Sequence, residues 1–469
     1  MQRPNIVYVV CHDLGQHLGC YGAPVPSPAI DAFAAESVVF TNAFSNAPAC
    51  SPSRGCAMTG RYSHTNGLMG LVNCGWSLPL EERTIVDELN DAGYHTAHFG
   101  FQHERANATA NRYETEGNLD DPSDWLRRPD EWAENVVDRG IRFLANAPAD
   151  RPFCLNLGTV EVHGSRWSGG QPEESGQNRA EFYGIDPPEQ VFVPPYTPDT
   201  PGTREMFGRF QGAIRHLDRQ FARLLHAIDE HGLRDNTIVV FTTDHGILTE
   251  RSKTWLYEQG VEIALIMRVP PGAGGRASGI RYDGLIGNID VAPSLLDLCR
   301  LEVPPAMQGR SFRGVFSGAA YEPRTEVFME RNYHSSYDPM RAVRTPCYHY
   351  VRNFARDTVR AWKITDDITL SPWRDGEPLT MWPPRTEPRP AEELYDVERD
   401  PGELVNLADD PALAQVRSEL SDRLKTWMED TDDPILRGPI PDMLNTWPGM
   451  STDEVRRALG LGDSGPGGS

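Results

Sequence analysis

Four apolar runs of the chain each end in a short polar group whose side chains could do acid–base or metal chemistry. The groups are Cys11-His12-Asp13, Phe101-Gln102-His103, Glu161-Val162-His163 and Asp244-His245. Imidazoles and carboxylates bind divalent cations and move protons near neutral pH. One such residue at the end of a strand is more often a turn or cap residue, but four groups together predict one shared site.

A fifth group lies in the stretch APACSPSRGCAMTGR, where a cysteine precedes a predicted helix. Ser51 is a candidate N-cap and Pro52 suits the first helical turn. Cys50 would then lie at the positive end of the helix, where backbone N–H groups favour an anion. Arg54 lies four residues later on the same face and offers a forked cation to an anion's oxygens. The alternative for an isolated cysteine is a buried structural role.

The elements that position these groups alternate between β-branched runs and amphipathic helical patterns. The predicted strands are 5–10, 95–100, 152–160 and 236–243, and the predicted helices are 83–93, 130–147, 203–232 and 289–301. This alternation is typical of an α/β fold with a large, mostly parallel sheet covered by helices on both faces. Ligands bind such sheets beyond the carboxyl ends of the strands, which is where the polar groups lie.

After about residue 320 the alternation of strands and helices stops. The sequence there predicts short strands within 342–354, then a Pro-rich stretch and a final helix. We predict an α/β domain over 1–320 that carries the site. A C-terminal α+β subdomain with a small antiparallel sheet and a terminal helix follows over 321–469. Residues 164–202 are rich in Gly, Pro and polar residues, which predicts a lid or rim of the site, with disorder as the alternative.

Composition narrows the class of partner. The 45 Lys and Arg against 67 Asp and Glu give a net charge of −22, which argues against a non-specific nucleic-acid or anionic-membrane binder. An anionic substrate would need a locally positive pocket. No apolar run is long enough for a transmembrane helix, and the first residues lack a signal-peptide pattern. The eight cysteines show no regular spacing, so we expect free thiols and a cytoplasmic protein.

The segment ACSPSRGCAMTGR resembles the signature of the type I sulfatases, in which the cysteine of C-x-P-S-R is oxidised to formylglycine. The resemblance covers almost the whole chain and implies an alkaline-phosphatase-like fold. PNIVYVVCHDLG resembles the family's first strand and metal loop, TIVVFTTDHG the second metal strand, KTWLYE the lysine segment and ELYDVERDPGELVNLA the C-terminal subdomain. More diffuse segments, such as YDPMRAVRT and LKTWMEDTDDP, resemble the heparan N-sulfatase (sulfamidase) branch.

The resemblance implies roles for five residues. Cys50, as hydrated formylglycine, would attack sulfur with one hydroxyl to give a sulfated hemiacetal, and the second hydroxyl would expel sulfate. Arg54 would hold the hydrate and the sulfate oxygens, and Lys253 would neutralise sulfate charge. His103 would help to deprotonate the diol, and His163 would donate a proton to the leaving group.

The resemblance also implies a divalent cation bound by His12, Asp13, Cys50, Asp244 and His245. The family usually uses Ca2+, which prefers oxygen ligands. This chain has a histidine where the family has the first of two acids, and two imidazoles suit transition metals better than Ca2+. Ca2+ is therefore the expectation from the family, and Mn2+ is the alternative.

A second departure is Phe101, which stands where the family has a lysine. Either Lys253 and Arg54 suffice as cations, or Arg105 supplies a further one. Three weaker candidates for lining the substrate pocket, each equally compatible with a structural role, are Glu161, His334 and Arg341.

The resemblance implies a sulfuric ester hydrolase acting on a sulfate ester, or a sulfamate, of a carbohydrate or small molecule. N-sulfoglucosamine sulfohydrolase-like activity is the finer expectation. The alternatives are a phosphodiesterase or phosphonate monoester hydrolase of the same superfamily, and a non-catalytic binder of sulfated ligands, suggested by His12 and Phe101. The expected partners are the sulfated substrate and a formylglycine-generating enzyme, with a second copy of the chain as a candidate. We expect no nucleic acid and no membrane.

Overall fold

A computed structural model gives the arrangement of most of the chain. It describes residues 3–106, 108–117, 132–163, 167–168, 171–172, 183–249, 251–276, 278–318, 321–334, 337–355 and 389–441. The fold class predicted from the sequence is confirmed, because a large, mostly parallel sheet lies between helices and a smaller antiparallel sheet follows it. Much of the predicted lid at 164–202 lies outside the described residues.

The elements of the described residues are numbered in chain order. Strands β1 to β16 are Asn5–Cys11, Val38–Phe40, Ala43–Phe44, His95–Gly100, Thr115–Gly117, Phe153–Gly158, Trp167–Ser168, Gln171–Pro172, Thr237–Thr243, Leu265–Arg268, Ile280–Tyr282, Ile286–Gly287, Val327–Tyr333, Tyr337–Arg344, Tyr348–Asn353 and Glu392–Asp396. Helices α1 to α10 are Pro28–Ala35, Cys50–Thr59, Ser63–Asn66, Ile85–Asp91, Ala133–Ala145, Pro201–Glu230, Glu258–Val261, Val291–Leu298, Arg313–Ser317 and Ala414–Asp430.

The large sheet has eight strands in the order β11-β2-β10-β9-β1-β6-β4-β5. Strand β1 lies at its centre and pairs in parallel with β9 on one side and β6 on the other. Strand β10 runs antiparallel to both of its neighbours, so the sheet is mixed at one side. The run NIVYVVC forms the central strand because every residue in it is buried, as a strand covered on both faces requires.

Alternate residues of β1 face two separate hydrophobic layers. Val7 and Val9 pack with residues of α1, α5 and α6 on one face of the sheet. Ile6 and Tyr8 pack with residues of α4, α8 and α9 on the other. The two layers hold the central strands rigidly, which positions the residues at their carboxyl ends.

The second sheet has four antiparallel strands in the order β13-β14-β15-β16. One side of it packs with Leu424 and Trp427 of α10. Residues of β14, β15 and β16 also pack against the segment from Trp255 to Val261, which follows the large sheet's strand β9. The small sheet therefore lies directly against the part of the chain that carries Lys253. The domain boundary at 320/321 stays a prediction.

Two further features bear on the expectations from composition. Among the described helices, none combines the length and the apolarity needed to cross a bilayer. The eight cysteines, all of them among the described residues, form no disulfide; six are buried or partly buried and two are exposed.

The close approach of β6 to the segment after β4 gives the first prediction. A Cβ on Gly158 would lie 2.0 Å from the backbone oxygen of Phe101, so Gly158→Ala must displace backbone. We expect it to lower the free energy of unfolding by about 1–3 kcal/mol, measured by urea denaturation. The control is Gly272→Ala, where the nearest atom to the new Cβ is 3.9 Å away. Equal stability of the two variants would contradict this account.

Candidate functional site

Strands β9, β1, β6 and β4 are neighbours, so the polar groups that follow them meet at one edge of the sheet. The ligand atoms of five residues lie within 4.8 Å of one another there: His12, Asp13, Cys50, Asp244 and His245. The structure thus brings together the whole set predicted to bind a metal.

Backbone pairing holds the two carboxylates side by side. The register of β1 with β9 places Cys11 opposite Thr243, so the next residues of each strand leave the sheet together. The backbone N–H of Asp13 donates to Oδ1 of Asp244 over 3.0 Å. Asp13 has a φ of 54°, a left-handed conformation that non-glycine residues adopt infrequently. This turn places Asp13 and Asp244 beside each other.

Cys50 is the first residue of α2 and Ala49 is the N-cap, so the predicted N-cap at Ser51 is wrong. The Ser51 hydroxyl instead accepts from the backbone N–H of Val72 over 3.0 Å. The predicted helix is otherwise present and ends at Gly60, with a φ of 65°. Its start places the cysteine Sγ 3.4 Å from Nε2 of His245.

Two cations lie against the carboxylates. Lys253 Nζ donates to both oxygens of Asp13, over 2.9 and 2.8 Å. Arg54 Nε donates to Oδ2 of Asp244 over 3.2 Å, and the guanidinium lies 4.8 Å from the centre of the Phe101 ring. Arg54 and Cys50 face the same site, as their helical spacing predicts.

Charge inside the site changes several pKa values. Burial alone would raise the pKa of Asp13, but the charges of Lys253 and His12 help to hold that pKa well below its usual range. Burial likewise opposes ionisation of Cys50, yet Lys253 and His12 lower the pKa of this thiol well below its usual value. Burial lowers the pKa of His163 to about 3, and the charge of Lys253 acts in the same direction.

The donor set fits a divalent cation. Burial lowers the pKa of His12, but the charge of Asp244 outweighs this and raises the pKa to about 9. The site therefore favours positive charge next to its two carboxylates, and a bound cation would supply that charge in place of the His12 proton. The other imidazole, His245, has its Nε2 3.4 Å from Asp13 Oδ1. This mixture of oxygen and nitrogen donors is compatible with both Ca2+ and Mn2+.

The histidines predicted for proton transfer also lie at this edge. His103 is buried beside Cys50, and burial lowers its pKa. His163 Nε2 lies 3.7 Å from Asp13 Oδ2. The ring of Phe101 packs between His12 and His103, with ring centres 4.8 and 5.1 Å away. An aromatic ring, in the place of a further cation, therefore fills the space behind them.

Of the three weaker candidates, the structure places only His334 in the site. His334 follows β13 of the small sheet and lies beside Cys50. Glu161 is buried and accepts from Tyr183 Oη over 2.6 Å and from the N–H of Ala133 over 2.9 Å. The prediction that Glu161 lines the substrate pocket is corrected, because its carboxylate caps α5 instead.

Two arginine predictions also need correction. Arg341 is fully buried and pairs with both oxygens of Asp433, over 2.5 and 2.8 Å, so it does not line the pocket. Arg105 donates to the backbone oxygens of Pro79 and Glu82, so it does not supply a cation to the site. Both guanidiniums instead donate to acceptors outside the site that lie far from them in sequence.

Residues that the sequence analysis missed lie beside Cys50. A small cavity is lined by Ala49 and Pro52 of the α2 start, by Thr254, and by Arg331 and Asn332 of β13. In the sequence, Arg331 and Asn332 could have been found from their position in the polar run Glu-Arg-Asn-Tyr-His, which ends at the candidate residue His334.

Comparisons with known proteins agree over the length of the chain. Residues 4–301 match the family described as Sulfatase, and residues 244–369 match the one described as N-sulphoglucosamine sulphohydrolase, C-terminal. The human N-sulphoglucosamine sulphohydrolase is 28% identical over 93% of this chain and 92% of its own length. An endo-4-O-sulfatase of Bacteroides thetaiotaomicron is 25% identical over 90% of this chain and 95% of its own.

Solved structures share the fold. A Bacteroides thetaiotaomicron protein from the metabolism of multiple glycosaminoglycans superposes with a TM-score of 0.71 at 23% identity, covering 94% of this chain and all (100%) of that one. A protein in complex with its substrate D-glucosamine-2-N,6-O-disulfate gives 0.69 at 18% identity, covering 93% and 99%. A phosphonate monoester hydrolase from Silicibacter pomeroyi gives 0.64 at 20%, covering 94% and 97%.

The second prediction concerns Glu330 of β13, which lies next to the site. Glu330 accepts from the His64 N–H over 3.0 Å and from Asn332 Nδ2 over 2.8 Å. Burial would raise the pKa of Glu330, but His64 and Arg341 outweigh it and lower it to about 2.

We therefore expect Glu330→Gln to lower the free energy of unfolding by about 3 kcal/mol near neutral pH. The folded-state pKa is depressed, so this contribution is present above the unfolded pKa of 4.5 and is lost as the pH falls toward 2. Urea denaturation at a series of pH values measures it, with the exposed Glu322→Gln as control. A difference between wild type and Glu330→Gln that does not shrink below pH 4.5 would contradict the assignment.

Proposed function

Because the chain belongs to the sulfatase family, whose match covers residues 4–301, we propose that this sulfuric ester hydrolase removes sulfate from a sulfated amino sugar. We propose that it does so through a formylglycine made from Cys50 and with a bound divalent cation. The observation that carries the proposal is the position of Cys50. It begins α2 3.4 Å from His245, inside the group of buried metal donors.

The modified Cys50 would supply, as a hydrated aldehyde, the oxygen nucleophile that a thiol lacks. A formylglycine-generating enzyme is the partner that this requires. The cation, held by His12, Asp13, Asp244 and His245, would polarise the sulfate and orient the nucleophile when bound. The chain's own residues supply binding, orientation and proton transfer.

Lys253 and Arg54 are the cations placed to bind sulfate oxygens. Each already donates to a carboxylate, Asp13 and Asp244 respectively, and is buried, so its orientation is set before the substrate arrives. A preorganised cation in a water-poor site stabilises the charge that develops during sulfate transfer more than it would in water. These two residues fill the role for which Arg105 was a candidate.

His103, His163 and His334 are the candidates for moving protons. Burial lowers the pKa of all three, so each imidazole is neutral near pH 7 in the substrate-free protein. A bound sulfate would bring negative charge close to them and raise these pKa values. Substrate binding would thereby favour the protonated imidazole that donates to the leaving oxygen or nitrogen.

Support for an amino sugar comes from the relatives. The family match at residues 244–369 and the 28% identical human protein both carry the name N-sulphoglucosamine sulphohydrolase. The endo-4-O-sulfatase shows that O-sulfate cleavage also occurs among the relatives. We propose the sulfamate of glucosamine as the first substrate to test and its O-sulfates as the second. The superposition on a phosphonate monoester hydrolase shows the shared fold alone.

The third prediction concerns Cys50. In protein produced together with a formylglycine-generating enzyme, mass spectrometry of the peptide carrying Cys50 should show the aldehyde, and sulfate should be released from glucosamine N-sulfate or an O-sulfate. Cys50→Ala should abolish release, because the aldehyde that supplies the nucleophile cannot form from alanine. Cys56→Ala, in the same helix but in the hydrophobic core, is the matched control and should keep activity. An active protein whose Cys50 is entirely a thiol would contradict the proposal.

The fourth prediction concerns the cation. Chelation should lower kcat/KM by about a hundredfold or more, because the charge that orients nucleophile and sulfate is lost. Adding back Ca2+ or Mn2+ separately tells which ion restores activity, and elemental analysis of the purified protein gives the ion it carries. Asp244→Ala should lose the bound ion, whereas Asp235→Ala, in the turn before β9, should retain it. Full activity after exhaustive chelation would exclude the cation's role.

A further inference from the structure

The Lys253 segment, residues 251–258, has an uncommon backbone conformation. Arg251 and Thr254, on either side of the lysine, have φ values of 59° and 74°. Residues with a side chain adopt this left-handed region infrequently, and they keep it where the surrounding structure imposes it. The Thr254 N–H donates to the backbone oxygen of Pro48 over 2.7 Å, which ties one point of the segment to the large domain. Further contacts come from the C-terminal subdomain.

Glu403 of that subdomain contacts the Lys253 segment at both of its ends. Its Oε2 accepts from the backbone N–H of Glu258 over 2.7 Å, and its backbone oxygen accepts from Nη2 of Arg251. Its Oε1 lies 2.6 Å from Nδ1 of His349 in β15, so the same carboxylate is also tied to the small sheet. Glu403 is fully buried and itself has a φ of 52°. One residue thus joins both ends of the segment to the small sheet.

An aromatic residue of the segment is attached to the same sheet. The Tyr257 hydroxyl donates to Oε2 of Glu393 in β16 over 2.9 Å. The centre of the Tyr257 ring lies 3.7 Å from the Arg251 guanidinium, a distance at which the ring attracts the cation. The ring therefore supports the same guanidinium that donates to Glu403.

The backbone of the segment decides where the Lys253 ammonium lies. Nζ donates to both oxygens of Asp13, and only 4% of the lysine side chain is exposed. The same ammonium is the cation proposed to bind sulfate. A displacement of about 1 Å can take such a group out of its productive position and lower the rate by about a hundredfold. The contacts that hold the segment are therefore expected to influence the reaction.

We propose that Glu403 is a positioning residue for the reaction: by holding both ends of the Lys253 segment, it fixes the Lys253 ammonium where sulfate binds. Glu403 acts through Lys253 and needs no contact with the substrate. This inference rests on the proposed function, in which Lys253 binds a sulfate oxygen. It gives the C-terminal subdomain a part in catalysis that is separate from its contribution to stability.

The test uses two variants of Glu403, one of its partner and one control. Glu403→Ala removes the acceptor for the Glu258 N–H, whereas Glu403→Gln keeps an amide oxygen for it and should recover most of the lost function. Arg251→Met removes the other anchor and should act in the same direction as Glu403→Ala, so the test remains decisive if that variant does not fold. The matched control is Asp218→Ala. Asp218 of α6 is likewise a buried carboxylate that accepts from backbone N–H groups of another element, at the start of α1.

Kinetics separate a positioning role from a purely structural one. Glu403→Ala should lower kcat/KM of the folded protein by about 10–100-fold, mostly through kcat, whereas Asp218→Ala should change it by less than about threefold. In a Lys253→Met background, Glu403→Ala should add a loss of less than about threefold, because the effects of residues that act through one group are not additive. Equal losses in the two backgrounds would overturn the proposal.

A measurement that needs no turnover reports the position of Lys253. Acetic anhydride acylates exposed, uncharged amines, and mass spectrometry compares the Lys253 peptide with that of Lys425, whose side chain is 63% exposed. Glu403→Ala should raise the ratio of Lys253 to Lys425 labelling by about tenfold or more, because the segment opens more often. Glu403→Gln should raise it much less, and Asp218→Ala should leave it unchanged.

The two measurements distinguish failure of this inference from failure of the proposed function. Unchanged labelling of Lys253 in Glu403→Ala would overturn the positioning role and leave the sulfatase function standing. If wild type released no sulfate from any of the sugars, the proposed function would fail, and labelling would still decide whether Glu403 positions Lys253.

Discussion

The approach of two buried carboxylates, Asp13 and Asp244, at adjacent strand ends is the constraint on which the site depends. The parallel pairing of β1 with β9 sets their spacing, and the backbone N–H of Asp13 fixes it by donating to Asp244. Two negative charges this close in a buried place are stable only with positive charge beside them. Lys253, Arg54 and the imidazole of His12 supply it in the substrate-free protein.

This charge balance explains how an acidic protein holds an anionic substrate. The net charge of −22 belongs to the surface as a whole, while the site gathers cations in a small buried volume. Lys253 both pairs with Asp13 and lowers the pKa of His163, so one side chain influences a candidate metal ligand and a proton-transfer candidate. Phe101, which stands where the family has a lysine, packs its ring against His12, His103 and the Arg54 guanidinium.

The small C-terminal sheet completes the site. Its strand β13 ends at His334 beside Cys50, and Arg331 of the same strand lines the adjoining cavity. Glu330 anchors this strand to His64 in the segment after α2, so the two halves of the chain meet behind the nucleophile. The large sheet therefore carries most of the predicted site residues, and the small sheet adds His334 and the cavity wall next to them.

Local patterns in the sequence were enough to locate most of the site. Apolar runs predicted the strands, and polar residues directly after them predicted where His12, Asp13, His103, His163, Asp244 and His245 converge, because parallel strands end at a common edge. The helix after Cys50 and the position of Arg54 on its face follow from spacing alone, although the N-cap is Ala49. Glu161, Arg105 and Arg341 could not be judged in this way. Their partners, such as Asp433 for Arg341, lie far along the chain, and only packing shows that these charges are already satisfied. Glu403 is a similar case, since only the tertiary structure brings its carboxylate to the backbone of the segment that carries Lys253.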